Sequence, residues 1–139
     1  MEKVDNISEE IAILLRAFND SIKSIALLDY ETRFLYVNDI FQHRCGYGKE
    51  ELLGNKVSLL KSGQHDTEFY KQLWDRVNTN QMYQAVFTNK NKAGTFYHDE
   101  QTIIPIGEAG KEQHFLVVGK DISNAIASEL NSMSYESIE

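Results

Sequence analysis

Four histidines, one cysteine and 21 acidic residues are the groups that could hold a metal, move a proton or attack a substrate. His43, His65, His98 and His114 are scattered, with no spacing that would bring two of them onto one metal ion. Cys45 stands alone, so no internal disulfide can form, and a single thiol fits a reducing, cytoplasmic compartment. It reads as a small buried hydrophobe rather than a nucleophile. Gly46-Tyr47-Gly48 is followed by Lys49, Glu50 and Glu51, which makes it a turn and not a dinucleotide fingerprint. There is no P-loop, no G-x-S-x-G and no H-E-x-x-H, and no residue pair has the nucleophile–base arrangement that catalysis requires. The sequence is that of a non-enzyme, with any catalysis expected in another domain.

The elements that carry these residues must form one domain. The chain has 139 residues, of which 42% are apolar, enough for one core without metal or disulfide staples. With 14 basic and 21 acidic residues the net charge is −7. That opposes a general phosphate-binding face, so no nucleic-acid partner is expected. No apolar run approaches the roughly 20 residues that span a bilayer. The polar start MEKVDNISEE is not a secretory signal.

Ile7, Ile11, Leu14, Phe18, Ile22 and Ile25 make a helical stripe, and Asn6 with Glu9 resembles a capping box. A helix over 7–19 follows. Ile13, Leu15 and Ala17 lie off the stripe, so the helix has apolar surface to offer a partner. Residues 24–30 and 33–37 read as two strands of a hairpin, stopped by Asn38 and Asp39. The segment from Asn38 to Gly63, with glycines 46, 48, 54 and 63, reads as brief helices joined by turns. Phe69, Tyr70, Leu73, Trp74 and Val77 share one face of a helix over 66–78, capped by Asp66 or Thr67. Residues 82–88, 95–106 and 113–120 read as three further strands. If the first of these is buried, a charge at Met82 harms folding. A closing helix follows Asp121 or Ser123, with Ile126, Ala127, Leu130 and Met133 apolar. Strands at both ends with helices between them predict an α+β domain: one five-stranded antiparallel sheet covered on one face by short helices.

The series YVND-F, GY-KEELLG, LKSG-HD-FY--LW, NK-K-G--Y, TI-PI and DIS, spread over residues 24–123, resembles the PAS domain, a sensory module of bacterial signalling proteins. The resemblance implies the strand order 2-1-5-4-3. It divides the chain into an N-terminal flanking helix (1–23), a sensory core (24–122) and a C-terminal connector (123–139) toward an attached effector. It implies a homodimer formed through the first helix at Ile7, Ile11, Leu14, Leu15 and Phe18. The effector would be that of a two-component sensor kinase, a cyclic-dinucleotide enzyme such as a diguanylate cyclase, or a chemoreceptor. A second role consistent with the resemblance is a ligand-free module for dimerisation or protein–protein contact.

The resemblance also implies a pocket between sheet and helices for a small ligand or cofactor. The residues expected to meet it are Asn38, Phe41, Leu60, Phe69, Leu73, Tyr83, Phe87, Asn89, Gln101 and Val117. Leu27, Tyr36, Leu53 and Ile104 are further expected walls, and His98 a further polar candidate. Strand alternation puts His98 with Glu100 and Thr102 on one face, and Asp99 with Gln101 on the other, leaving open which face is inward. Similar flavin photoreceptors carry a cysteine after the position of Gly54, where this chain reads GNKVSLL. Similar redox sensors that hold FAD often carry Trp where Tyr83 stands. Heme would need an axial histidine, for which His65 is the nearest, although it reads as a cap or surface residue. The cofactor is therefore open: FAD, heme or none.

Overall fold

Side chains that alternate between apolar and polar fold against side chains that recur every three to four residues, and a sheet under a layer of short helices results. The computed structural model describes residues 9–10, 12–14, 16–17, 19, 21–108, 111–123 and 129. The described residues between 9 and 19 are helical. Then follow β1 (Ser24–Leu28), β2 (Phe34–Val37), α1 (Asp39–Cys45), α2 (Lys49–Leu52), a 3₁₀ turn (Val57–Leu60), α3 (Thr67–Asn78), β3 (Tyr83–Lys90), β4 (Phe96–Ile106) and β5 (His114–Asp121). The five strands form one sheet in the order β2-β1-β5-β4-β3, with every neighbouring pair antiparallel. This is the predicted architecture.

The strand bounds shift slightly from expectation for local reasons. β1 ends at Leu28 because the Asp29 carboxylate accepts the backbone N–H groups of Glu31 and Arg33, both at 2.9 Å, and forms a turn instead of a ladder. Thr32 closes that turn at φ +67°. β4 continues through Pro105 to Ile106. Met82 lies before β3 and is 57% exposed, so the expectation that a charge there would harm folding is withdrawn.

The helices start where sequence supplies caps. The Asp66 carboxylate accepts the Phe69 N–H at 2.9 Å, and the Asn38 side-chain oxygen Oδ1 accepts that of Phe41 at 3.0 Å. Gly46 ends α1 in the left-handed region at φ +77°, donating to the Gln42 carbonyl. α1 and α3 bury Phe41, Cys45, Leu73 and Val77 against Ala26, Leu28, Ile103, Phe115 and Val117 from the sheet.

Both sheet edges are covered by the connection between α2 and α3. Bridges join Arg33 to Lys56 and Phe34 to Leu53 beside β2, and Lys61 to Asn89 beside β3. At the β3 edge the Ser62 hydroxyl donates to the Thr88 carbonyl at 2.6 Å. The Thr88 N–H donates to His65 Nε2 at 2.9 Å. Edge groups that would otherwise invite another strand are thereby occupied. No helix among the described residues is long and apolar enough to cross a membrane.

Candidate functional site

A cavity of about 290 Å³ lies between the helical layer and the inner face of the sheet. Natural interiors pack like organic crystals, so a space of this size in the middle of a core is a feature and not slack. α1 supplies Phe41, the 3₁₀ turn Leu60, α3 Leu73, β3 Phe87 and Asn89, β4 Gln101, and β5 Val117. These seven were expected from the sequence. Strand alternation places Asp99, Gln101 and Ile103 inward, and His98, Glu100 and Thr102 outward. His98 instead shares a 2.9 Å hydrogen bond with the Thr88 hydroxyl on the outer face.

Three expected ligand residues do not line the cavity. Asn38 is fully buried, but its side chain is spent on the backbone. Its carbonyl accepts from the N–H groups of Ile25 and Phe41, and its amide donates to the Lys23 carbonyl at 2.9 Å. It clasps β1 to the start of α1. Phe69 stacks on His65 with centroids 3.9 Å apart and sets its edge against Phe87 at 5.0 Å, behind the wall. Tyr83 packs against the core at the start of β3, outside the cavity lining.

Among the further walls, Leu27 and Ile104 are displaced by their neighbours Ala26, Leu28 and Ile103, because the sheet alternates with period two. Tyr36 and Leu53 are also absent from the lining, and Leu53 is partly exposed. The sequence reading missed Phe34, Trp74 and Phe115, although Trp74 sits on the α3 face already read as apolar. It also missed Lys56, Ser58 and Lys61, which come from a connection with no periodic signal.

The polar groups divide into two sets. In the first, the Arg44 guanidinium meets Asp99 at 2.6 Å and Asp121 at 3.1 Å, donates to the His98 carbonyl, and lies over the Tyr97 ring. Burial pushes the Asp99 carboxyl up, and Arg44 offsets part of that. Asp121 goes the other way, held down chiefly by the Ser123 N–H that it accepts at 2.9 Å. Burial pushes the Tyr97 phenol far up, with Asn89 beside it as a hydrogen-bond partner. In the second set, Gln101 is 7% exposed and faces the cavity.

The cavity lining tests the cofactor expectations. Cys45 is fully buried in the core, its thiol directed at the carbonyls of Gln42 and Tyr47 and pushed up by burial. It does not line the cavity, so a cysteinyl–flavin bond has no thiol there. No histidine is among the lining residues, and His65 uses Nε2 to accept from Thr88, so an axial heme ligand is also missing. Of the expected polar candidates, Asn89 and Gln101 belong to the lining, and Asn89 already partners Tyr97. Among the described residues no group of three or more His, Cys, Asp and Glu could hold a metal. Of the expected dimer residues, Ile7, Ile11, Leu15 and Phe18 lie outside the described residues. Leu14 is 55% exposed, beside an exposed Ile13.

The chain is 28% identical over 114 residues to a blue-light photoreceptor of Listeria monocytogenes, covering 80% of this chain and 45% of that one. It is 29% identical over 101 residues to a nitrogen fixation regulatory protein of Klebsiella oxytoca, covering 72% and 20%. The chain thus spans less than half of these curated relatives. Among solved structures, the PAS domain of an HTR-like protein from Haloarcula marismortui aligns with a TM-score of 0.69 at 21% identity, over 87% of this chain and 98% of that one. An RNA-binding light-oxygen-voltage receptor aligns with a TM-score of 0.76 at 20% identity, over 89% and 37%. These structures share the fold. The sequence model of the PAS fold matches residues 13–122. Sheet order, helical layer and sequence agree, and the chain belongs to the PAS family, whose domains are sensory and not catalytic in themselves.

Proposed function

We propose that this chain is the sensory unit of a bacterial signalling protein, binding a small ligand in the cavity and passing its state to an attached effector. The cavity carries this reading: its wall includes Val117 on β5, the strand that runs on to Asp121 and the chain's exit from the sheet. A ligand that favours one arrangement of β5 would shift the population of the exit segment, provided that it binds the two arrangements with different affinity. The relatives point the same way, being a photoreceptor and a regulator by name. The effector is that of a sensor kinase, a cyclic-dinucleotide enzyme or a chemoreceptor, and the site of action is the cytoplasm.

The reading is tested by an absorbance spectrum from ~300 to ~700 nm, followed by native mass spectrometry of freshly purified protein. A released molecule, coloured or not, supports a sensor. An empty protein that also fails to bind in the experiment below turns the assignment toward a module for pairing alone.

Pairing itself is favoured by a specific observation, the exposure of Ile13 and Leu14 on the N-terminal helix. In this reading two copies associate through Ile7, Ile11, Leu14, Leu15 and Phe18. Leu14→Arg, at a position exposed in the single chain, leaves the fold intact and halves the mass measured by light scattering. An unchanged dimer mass ends the helix-pairing assignment.

A further inference from the structure

The second polar set defines what the cavity takes. Gln101 is nine-tenths buried, faces the cavity, and has no hydrogen-bond partner for its carboxamide among the described residues. The reason lies in its sheet neighbours: it pairs with Ala85 on β3 and Gly119 on β5, which bring no polar side chain. Its carboxamide is not sealed in the core, since the buried side-chain atom left without a partner among the described residues is Arg44 Nε; it opens on the cavity, where a ligand edge that both donates and accepts would engage it.

The opposite side of the cavity is cationic. Lys56 and Lys61 stand at the two ends of the 3₁₀ turn that covers it, and both belong to the lining. Neither pairs with a carboxylate among the described residues, and Lys61 lies over the Tyr70 ring with 4.2 Å to the centroid. The two lie toward opposite edges of the sheet, Lys56 beside Arg33 and Lys61 beside Asn89, and in a chain of net charge −7 each offers an anion a cationic point at the rim of the cavity. The space between is apolar, walled by Phe41, Trp74, Phe87 and Phe115. Its volume of about 290 Å³ lies at the small end of ligand sites, below what a dinucleotide would fill.

We propose that the cavity binds a small apolar anion: a hydrophobic body with an acid group toward one of the two lysines that flank the 3₁₀ turn, Lys56 or Lys61, and a hydrogen-bonding edge toward Gln101. The inference rests on the reading of this cavity as a ligand site. Three matched probes separate its parts by titration calorimetry: 6-hydroxy-2-naphthoate with both polar ends, 2-naphthoate with the acid alone, and 2-naphthol with the hydroxyl alone. The doubly polar probe should bind at least tenfold tighter than either of the others. K56Q/K61Q should weaken both naphthoates about tenfold and leave 2-naphthol unchanged. Q101L should erase the difference between the two naphthoates; if Q101L misfolds, the wild-type ratio of the two carries the same information.

Binding of 2-naphthol as tight as that of the naphthoates, or naphthoate affinities that ignore K56Q/K61Q, overturns the anion assignment while the ligand site stands. Equal affinity of the two naphthoates for the wild type overturns the role of Gln101. No binding of any probe, together with an empty native mass spectrum, overturns the ligand site itself.

Discussion

Asp99 and Gln101 project from the same face of the same strand, two positions apart, and their surroundings are opposite. Asp99 is 3% exposed and held by Arg44, which α1 carries across to it. Gln101 is 7% exposed, and no hydrogen-bond partner among the described residues reaches its carboxamide. At the first position the helical layer is closed by a charge pair. At the second the same layer stands off the sheet and leaves the cavity. Arg44 spends its terminal nitrogen on the pair and leaves only Nε without a partner, whereas the whole Gln101 carboxamide opens on the cavity; a polar group turned to an open cavity, and not a sealed one, marks a site.

The comparison can be broken by mutation, starting with the largest effect. Arg44→Leu strands the buried Asp99 carboxylate and should cost about 3–5 kcal/mol in urea unfolding. The double variant Arg44→Leu/Asp99→Leu should recover most of that loss, since the pair gives back little once both charges go. A double variant as unstable as the single one would mean that the pair's packing, and not its charge, holds α1 to the sheet.

Asn38→Ala removes a helix cap and leaves the Ile25 N–H without its acceptor, a loss of about 2 kcal/mol by the same measurement. It should leave ligand affinity unchanged, because Asn38 is outside the cavity. A selective loss of affinity in a stable Asn38→Ala protein would return Asn38 to the site.

Gln101→Leu should have the opposite sign. Replacing an unpartnered amide that opens on the cavity by an apolar side chain should stabilise the ligand-free protein by up to about 1 kcal/mol. A destabilised Gln101→Leu protein would mean that the carboxamide already has a partner.

The smallest effect concerns His65. Its pKa is lowered by burial, which outweighs the nearby Asp66. The folded state thus favours the neutral ring that accepts from Thr88, while the unfolded chain takes up a proton more readily. Stability is complete above the ordinary histidine value of about 6.5 and falls as pH drops through the folded value. His65→Gln, which keeps an acceptor and does not titrate, should flatten the decline between pH ~7 and ~5. An unchanged slope would assign the acid sensitivity elsewhere.

Much of this was legible in the sequence because it follows from periodicity and local chemistry. The five strands, the α3 face from Phe69 to Val77, the Asp66 cap and the Gly46 turn each depend on residues within a few positions of one another. Five cavity residues, Phe41, Leu60, Leu73, Phe87 and Val117, were legible because apolar side chains must turn toward the core, whereas Asn89 and Gln101 were only candidates, with the inward face of β4 left open.

Tertiary structure alone decided the rest. Whether Ala26 or Leu27, and Ile103 or Ile104, faces the helices is a choice of one residue, and in mostly apolar strands the pattern does not make it. Asn38 looks the same in sequence whether it meets a ligand or clasps Ile25, Phe41 and Lys23, because that use depends on strands and helices brought together by the fold. Arg44 finds Asp99 across 55 residues of chain, and Gln101 finds only Ala85 and Gly119. Which buried polar group the protein completes, and which it leaves open, is settled by what the sheet and the helical layer place opposite it.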